Sequence, residues 1–230
     1  MYIESVKYNT LEEFKNNILK YPTSVKKNSL KKYFIYLKKI LPIYEKLIWN
    51  KDYKKLVYKK SEIIKLMKKY NYNGMIKRVA SFYDVDIKKI GIIDVTLYPI
   101  SYGNNVNAYR IKNLETIGVL VNKKQNLRWL LSATILHEIS HTFYFNSKIV
   151  KRDFNIKNKK KKLLLIEGFA TSIGAGWGYK KLTGKLSNSK WYNNKQYDKF
   201  AKTIFIDVEY YLNKNRKLDK NLIKRVKSLL

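Results

Sequence analysis

The chain has only two histidines, and their spacing constrains the fold more than any other feature of the sequence. They lie in the segment His137-Glu138-Ile139-Ser140-His141 of a 230-residue chain. On an α-helix, four residues turn the side chain by about 40°, so both imidazoles project from one face. Glu138 is then within reach of a water molecule held by a shared metal ion. The spacing predicts a helical metal site; two histidines that merely pack or hydrogen-bond on a helix are the alternative.

The residues around this segment predict the helix itself. Apolar side chains recur at helical spacing from Asn126 to Asn146, with no proline or glycine between them. Asn126 is the predicted N-cap and Asn146 the predicted end of the helix. Three ionisable side chains inside an apolar stretch are costly to bury unless a cation compensates them. The surroundings therefore favour a metal ion over simple packing.

A third protein ligand must be a carboxylate. A catalytic zinc ion usually has three protein ligands and keeps one position for water, and the chain has neither a cysteine nor a third histidine. The two candidates are Asp153 and Glu167. Asp153 lies in a lysine-rich connection and is typical of a solvated loop acid. Glu167 instead interrupts an apolar run at residues 163–166, which favours it.

Small residues follow Glu167 on the same predicted helical face. They are Ala170, Thr171 and Gly174, and they would let a second helix approach closely enough for Glu167 to reach its metal. The alternative is a glutamate near a helix N-terminus, favoured by the helix dipole. The repeat Gly174-x-Gly176-x-Gly178 follows a helix and not a strand, so we predict helix termination or close packing there in preference to phosphate binding.

Together the two segments resemble the gluzincin zinc metallopeptidases. Residues 167–170, Glu-Gly-Phe-Ala, are similar to the segment that carries the zinc-binding glutamate in the alanyl aminopeptidase family, although more residues separate it from His141 here. The resemblance implies that His137, His141 and Glu167 bind one Zn²⁺ per chain and that Glu138 is the general base of peptide hydrolysis. The G-x-M-E-N segment that holds a free N-terminus in those aminopeptidases is not found, so endopeptidase activity is favoured over aminopeptidase activity.

The resemblance also implies a hydrogen-bond donor for the developing oxyanion. The tyrosines downstream of the ligands are Tyr179, Tyr192, Tyr197, Tyr210 and Tyr211, and the sequence does not choose among them. We take Tyr179, Tyr210 and Tyr211 as candidates. Thr171, one turn after Glu167, is a further candidate for a hydrogen bond to a ligand, or it packs.

The whole chain predicts an α+β protein of zincin type, mostly helical, with a small sheet before the zinc-binding helix. Residues 1–84 read as a lysine-rich helical region with breaks at Pro42 and at residues 71–74. Residues 85–230 read as the catalytic region, and the two are expected to form one compact unit. Strands are predicted at 90–98, 106–111 and 116–121, with a turn at 103–105, and residues 118–121 are the candidate edge for substrate backbone.

The net charge of +32, from 49 basic and 17 acidic residues, predicts a surface that attracts nucleic acid, anionic lipid or acidic protein. Many lysines lie at residues 146–162, in the connection between the predicted helix of the two histidines and the predicted helix of Glu167. We favour a solvated, mobile loop there over a basic lip that selects acidic substrates or contacts a polyanion. No signal peptide and no transmembrane segment are expected, which predicts a cytoplasmic location in a cell or a host.

Two functions from different classes follow from these features. The first is a zinc-dependent peptidase acting on a peptide or protein substrate. The second is a catalytically idle zincin scaffold that serves as a basic module for binding nucleic acid or protein. Glu138 favours the enzyme, because a scaffold without catalysis has no use for a glutamate that binds no metal.

Overall fold

The computed structural model describes residues 27–91, 93–99, 108–111, 116–121 and 126–230. The α-helices are α1 Lys27–Tyr44, α2 Asn50–Lys69, α3 Tyr72–Phe82, α4 Ile87–Ile90, α5 Leu127–Trp129, α6 His137–Asn146, α7 Lys148–Asp153, α8 Lys159–Thr171, α9 Tyr179–Thr183, α10 Lys195–Asn213 and α11 Lys220–Ser228. Three π-helical segments continue them: π1 Glu45–Trp49, π2 Leu130–Leu136 and π3 Ser172–Gly178. Within these ranges, no helix has both the length and the apolar composition needed to cross a bilayer.

The first long helix runs from α1 through π1 into α2. The predicted break at Pro42 is wrong, because Pro42 lies inside α1. A proline removes one helical hydrogen bond and crowds the preceding turn, and here the chain continues into the wider π1 instead of ending. The predicted break at residues 71–74 is confirmed. Asn71 adopts left-handed backbone angles, φ 48° and ψ 51°, and its side chain caps α3 by accepting a hydrogen bond from the Gly74 N–H.

A small sheet consists of β1 Asp94–Pro99, β2 Ala108–Ile111 and β3 Thr116–Val121. Strand β3 lies in the middle, parallel to β1 and antiparallel to β2. The prediction of a free edge at residues 118–121 is therefore wrong at residues 118 and 119, which pair with β2 as well as with β1. The predicted turn at residues 103–105 lies outside the described residues.

The predicted α+β class is wrong, and the protein is mainly α-helical. A fold class follows from the layers that enclose the core, and here helices enclose it. The strands are six, four and six residues long. From them, the described core receives Ile117 and Val119. The three short strands therefore add a few residues to a helical core and do not form a second layer of the fold.

The core is built around the histidine-bearing helix. Segment π2 and helix α6 are in contact with α3, α8 and π3. The Tyr72 hydroxyl donates a hydrogen bond of 2.5 Å to the Leu131 carbonyl, and the hydroxyls of Tyr83 and Ser140 lie 3.1 Å apart. These buried bonds hold the back of the helix on the core.

Helix α3 comes from the predicted N-terminal region but packs among the later helices. The Arg78 guanidinium donates to the carbonyls of Leu212 and Asn213, at 3.1 Å each. The Leu218 N–H donates to the Phe82 carbonyl at 2.7 Å. Residues on both sides of position 84 therefore share one core.

Candidate metal centre

The two imidazoles converge through their Nε2 atoms. His137 is the first residue of α6 and His141 lies one turn later, and each is 8% exposed. Their Nε2 atoms are 3.0 Å apart. The ring planes are nearly perpendicular, at 89°, with centroids 4.6 Å apart. Both side chains thus present a ring nitrogen to the same point.

Glu167 reaches that point from helix α8. Its Oε2 atom lies 3.3 Å from His137 Nε2 and 3.6 Å from His141 Nε2. Zinc bonds of about 2.0–2.2 Å in a tetrahedral arrangement place neighbouring ligand atoms about 3.3–3.5 Å apart. The three distances between these atoms fall around that range. Two nitrogens and one carboxylate oxygen are also a donor set that zinc accepts, so the residues fit a single metal ion.

Glu138 supplies a second carboxylate beside the two histidines. Its ligand atoms and those of His137 and His141 all lie within 4.8 Å of one another, so this group could by itself hold a metal ion. Glu138 follows His137 directly on α6, whereas Glu167 comes from another helix and closes the triangle of ligand atoms. The site therefore has one more carboxylate than a three-ligand zinc ion requires.

The electrostatics of Glu167 match a site for a cation. Burial would raise the pKa of this carboxyl group, but hydrogen bonds to His137 and His141 and their charge outweigh burial and hold the pKa well below its ordinary value. One ring nitrogen, His141 Nδ1, is buried and has no hydrogen-bond partner within the described ranges.

Small residues allow the two helices to come this close. A Cβ atom on Gly174 would lie 2.7 Å from the Ser132 carbonyl oxygen and 3.1 Å from His137 Cβ. Gly178 is similarly close to Leu136, where a Cβ would lie 2.7 Å from Cδ2. The predicted close packing at these glycines is confirmed, while helix termination is not, because they lie within π3 and helix α9 follows directly.

Tyr192 forms one wall of the site. Its ring stacks on that of His137 at an angle of 27°, with centroids 6.1 Å apart. Burial raises the pKa of its hydroxyl, and the charge of Glu167 and a hydrogen bond with it add to the effect. Tyr192 is therefore a protonated hydrogen-bond donor at the ligands. The sequence places it among five tyrosines without selecting it, and it was not one of our three candidates.

The three selected tyrosines lie elsewhere. Tyr179 packs edge-to-face on Trp129. Tyr211 donates to Asp219 at 2.9 Å, and Tyr210 is 49% exposed beside Arg216. None of their described contacts involves the site.

Two further candidates have other surroundings. Asp153, the alternative third ligand, forms a two-pronged pair with Arg152 at 2.7 and 2.8 Å. Thr171 is fully buried, and its hydroxyl has no hydrogen-bond partner in the described part of the chain. Its described role is packing.

The lysine-rich connection between the metal helices is partly ordered into helix α7. Ser147 caps this helix by accepting from the Val150 N–H at 3.2 Å, and Val150 and Phe154 are buried. The prediction of a simple mobile loop is therefore wrong for this part. The lysines at positions 159–162 are exposed on the first turn of α8.

An apolar cavity lies on the opposite side of the histidine helix. Its volume is about 730 Å³, and its wall includes Ile135 and Ile139 together with residues of α2, α3 and β1. Ile139 is two residues from each histidine, which on a helix is roughly the opposite face. This cavity therefore does not belong to the metal centre.

Comparison of the chain with protein-family models, curated proteins and solved structures finds no match. The functional argument therefore depends on the geometry of the site.

Proposed function

We propose that the protein is a zinc-dependent peptidase of the gluzincin type. The observation that carries the proposal is the convergence of His137 Nε2, His141 Nε2 and Glu167 Oε2, at 3.0 to 3.6 Å from one another, with a second carboxylate left beside them. A structural zinc site usually has four protein ligands, whereas a catalytic one has three and an open position. Two nitrogens, one ligating carboxylate and one unused carboxylate correspond to the catalytic arrangement.

His137, His141 and Glu167 would hold the ion. When bound there, zinc would lower the pKa of a water molecule and polarise the scissile carbonyl. The Glu138 carboxylate would accept a proton from the attacking water and deliver it to the nitrogen of the leaving amine. This sequence uses both carboxylates, one as a ligand and one as a general base.

Tyr192 completes the proposal as a hydrogen-bond donor. Its hydroxyl stays protonated because burial and the neighbouring carboxylate raise its pKa, and its ring lies against His137. A donor fixed beside the ligands can stabilise the negative charge that develops on the carbonyl oxygen during attack. This role replaces the one predicted for Tyr179, Tyr210 or Tyr211.

The test is cleavage of a peptide library by the zinc-loaded protein, the protein treated with a chelator and the Glu138→Gln variant. We expect cleavage by the first only, with activity restored to the chelated protein by added zinc. Loss of the general base should lower kcat by about 10²-fold or more. The side chain keeps its size and the three ligands are unchanged, so zinc content should be unaffected.

Asp153→Asn serves as the control, because this carboxylate pairs with Arg152 away from the site. It should cleave like the wild type. Undiminished turnover by Glu138→Gln would exclude the proposed mechanism. If instead no peptide is cleaved under any condition and nucleic acid is bound with a steep salt dependence, the chain is a basic binding module.

A further inference from the structure

We propose that Asp198 is a positioning residue that holds Tyr192 against the metal centre through the backbone of the preceding loop. The proposal rests on the proposed function for its catalytic consequence, but its structural part is independent of it. Asp198 lies in the first turn of α10, and its carboxylate has no described contact with His137, His141 or Glu167. The described link from Asp198 to the site is its hydrogen bond with the Tyr192 backbone.

Tyr192 needs such support because no helix or strand carries it. Residues 184–194, between α9 and α10, have no regular secondary structure. A side chain on an irregular segment is placed only if that segment is held by other contacts. Tyr192 nevertheless lies on His137, with the ring planes 27° apart. Something must hold the backbone of this loop.

The Asp198 carboxylate provides that hold. Its Oδ1 atom accepts hydrogen bonds from the backbone N–H groups of Trp191, at 2.7 Å, and of Tyr192, at 3.3 Å. A carboxylate that accepts from backbone N–H groups forms a charge-assisted bond, which is about twice as strong as a neutral one. Burial opposes the ionisation of Asp198, but the hydrogen bond from Lys202 and these two backbone bonds hold its pKa below the ordinary value.

The Trp191 side chain attaches the loop to helix α10. Its ring is 7% exposed and packs edge-to-face on Phe205 of α10, with centroids 5.2 Å apart. Its Nε1–H donates to the Ser187 carbonyl at 3.3 Å. Trp191 therefore anchors the loop to α10. The bonds to Asp198 then fix the backbone orientation of Tyr192, the residue that follows Trp191.

Lys202 offers a matched control. Its Nζ atom pairs with the other oxygen of Asp198, Oδ2, at 2.9 Å. Lys202→Met removes this partner, together with the contact of Lys202 Nζ over the Trp191 ring at 5.6 Å, and leaves the Oδ1 acceptor in place. Asp198→Asn keeps an oxygen acceptor without the charge, whereas Asp198→Ala removes the acceptor. The three variants separate the hydrogen bonds to the loop from the ion pair.

The experiment uses the two histidines as spectroscopic probes. In protein with ¹³C-labelled histidine, the ring protons of His137 and His141 give separate signals, assigned with His137→Gln. The ring-current shift caused by Tyr192 is measured as the change in the chemical shifts of the His137 ring protons when Tyr192 is replaced by leucine. We expect Asp198→Ala to lose most of this shift, and Lys202→Met and Asp198→Asn to retain it. No metal ion and no activity are needed for this measurement.

Kinetics then test the consequence. Asp198→Ala should lower kcat on a cleaved peptide by no more than Tyr192→Phe does, and the double variant should be no slower than Tyr192→Phe alone. Unchanged His137 signals in Asp198→Ala, or losses of kcat that multiply in the double variant, would overturn the proposal. If neither the wild-type protein nor any variant cleaves peptides, the proposed function fails. The spectra still decide whether Asp198 holds the Tyr192 ring against His137.

Discussion

Two glutamates beside the same histidine pair are distinguished by the helices that carry them. Glu138 follows His137 along α6, and a helix turns each successive side chain by about 100°. It therefore cannot point in the same direction as its neighbour. Glu167 comes from α8 and has an oxygen within 3.6 Å of both ring nitrogens. Position on different helices is thus what separates the two carboxylates in the proposed function, Glu167 as a ligand and Glu138 as a base.

At the scale of one residue, Gly174 lies at a close contact beside the histidine pair, where a Cβ atom would be 3.1 Å from His137 Cβ. We expect Gly174→Ala to lower the free energy of unfolding by about 1–3 kcal/mol and to weaken zinc binding, because the new Cβ would meet the Ser132 carbonyl and push π3 away from His137. Chemical denaturation and a zinc competition assay measure the two effects.

Gly168→Ala is the control for this prediction. Its Cβ would meet the Phe200 ring of α10 at 2.4 Å, so it also crowds a helix contact, but on a side chain and away from α6. It should lower stability while leaving zinc affinity close to that of the wild type. Equal loss of zinc affinity in both variants would contradict the role given to the contact at Gly174.

At the scale of the elements, the histidine helix could be predicted because its determinants are local. Asn126 accepts from the N–H groups of Arg128 and Trp129, and α6 ends at Asn146, as expected from capping and periodicity. The proximity of Glu167 could also be foreseen, because an acid in an apolar run followed by small residues requires a close partner.

Features that depend on distant contacts could not be predicted in this way. The placement of Tyr192 requires Asp198 and the packing of Trp191 on Phe205, and none of these has a periodic pattern. The α+β prediction is wrong for a related reason. Composition predicts three short strands, but how much of the core they form depends on tertiary packing.

The last helix provides a test of capping and pH dependence. The Asp219 carboxylate caps α11 by accepting from the N–H groups of Asn221 and Leu222, at 3.0 Å each. Burial opposes its ionisation, but these bonds, the Tyr211 hydroxyl and Arg216 hold its pKa below the ordinary value of 3.8. The stabilisation is therefore present above about pH 4 and is lost as the pH falls through the folded-state pKa.

Asp219→Ala should accordingly cost about 1 kcal/mol at pH 7, and the difference from the wild type should shrink in acid. Urea denaturation at pH 7 and pH 3 measures both values. Asp86→Ala, which removes the cap of the four-residue helix α4, should have a smaller effect at pH 7. A difference for Asp219→Ala that grows in acid would contradict this sign.

At the scale of the whole molecule, the chain has 17 acidic residues, and seven of those in the described part pair with lysine or arginine. The described ion pairs join Glu62 to Lys65, Asp84 to Lys217, Asp153 to Arg152, Asp198 to Lys202, Asp207 to Arg225, Glu209 to Lys180 and Asp219 to Arg216. A net charge of +32 therefore remains as mutually repelling cations, mostly lysines. Such repulsion destabilises the compact state and is screened by salt.

Raising sodium chloride from about 0.01 to 0.15 M shortens the Debye length from about 30 to about 8 Å. We expect the thermal midpoint to rise over this range and then to level off. An equal osmolality of sorbitol, which does not screen charge, is the control in the same calorimetric scan. A midpoint that falls with salt would show that the ion pairs outweigh the repulsion.

The most direct measurement is the zinc content of the purified protein and two variants after dialysis. The convergence of three side chains predicts about one equivalent of zinc in the wild type and in Asp153→Asn. It predicts loss of most of the metal in Glu167→Gln, which replaces the ligating carboxylate by an amide of the same size. Full retention of zinc by Glu167→Gln, with loss from Asp153→Asn, would contradict the site described here.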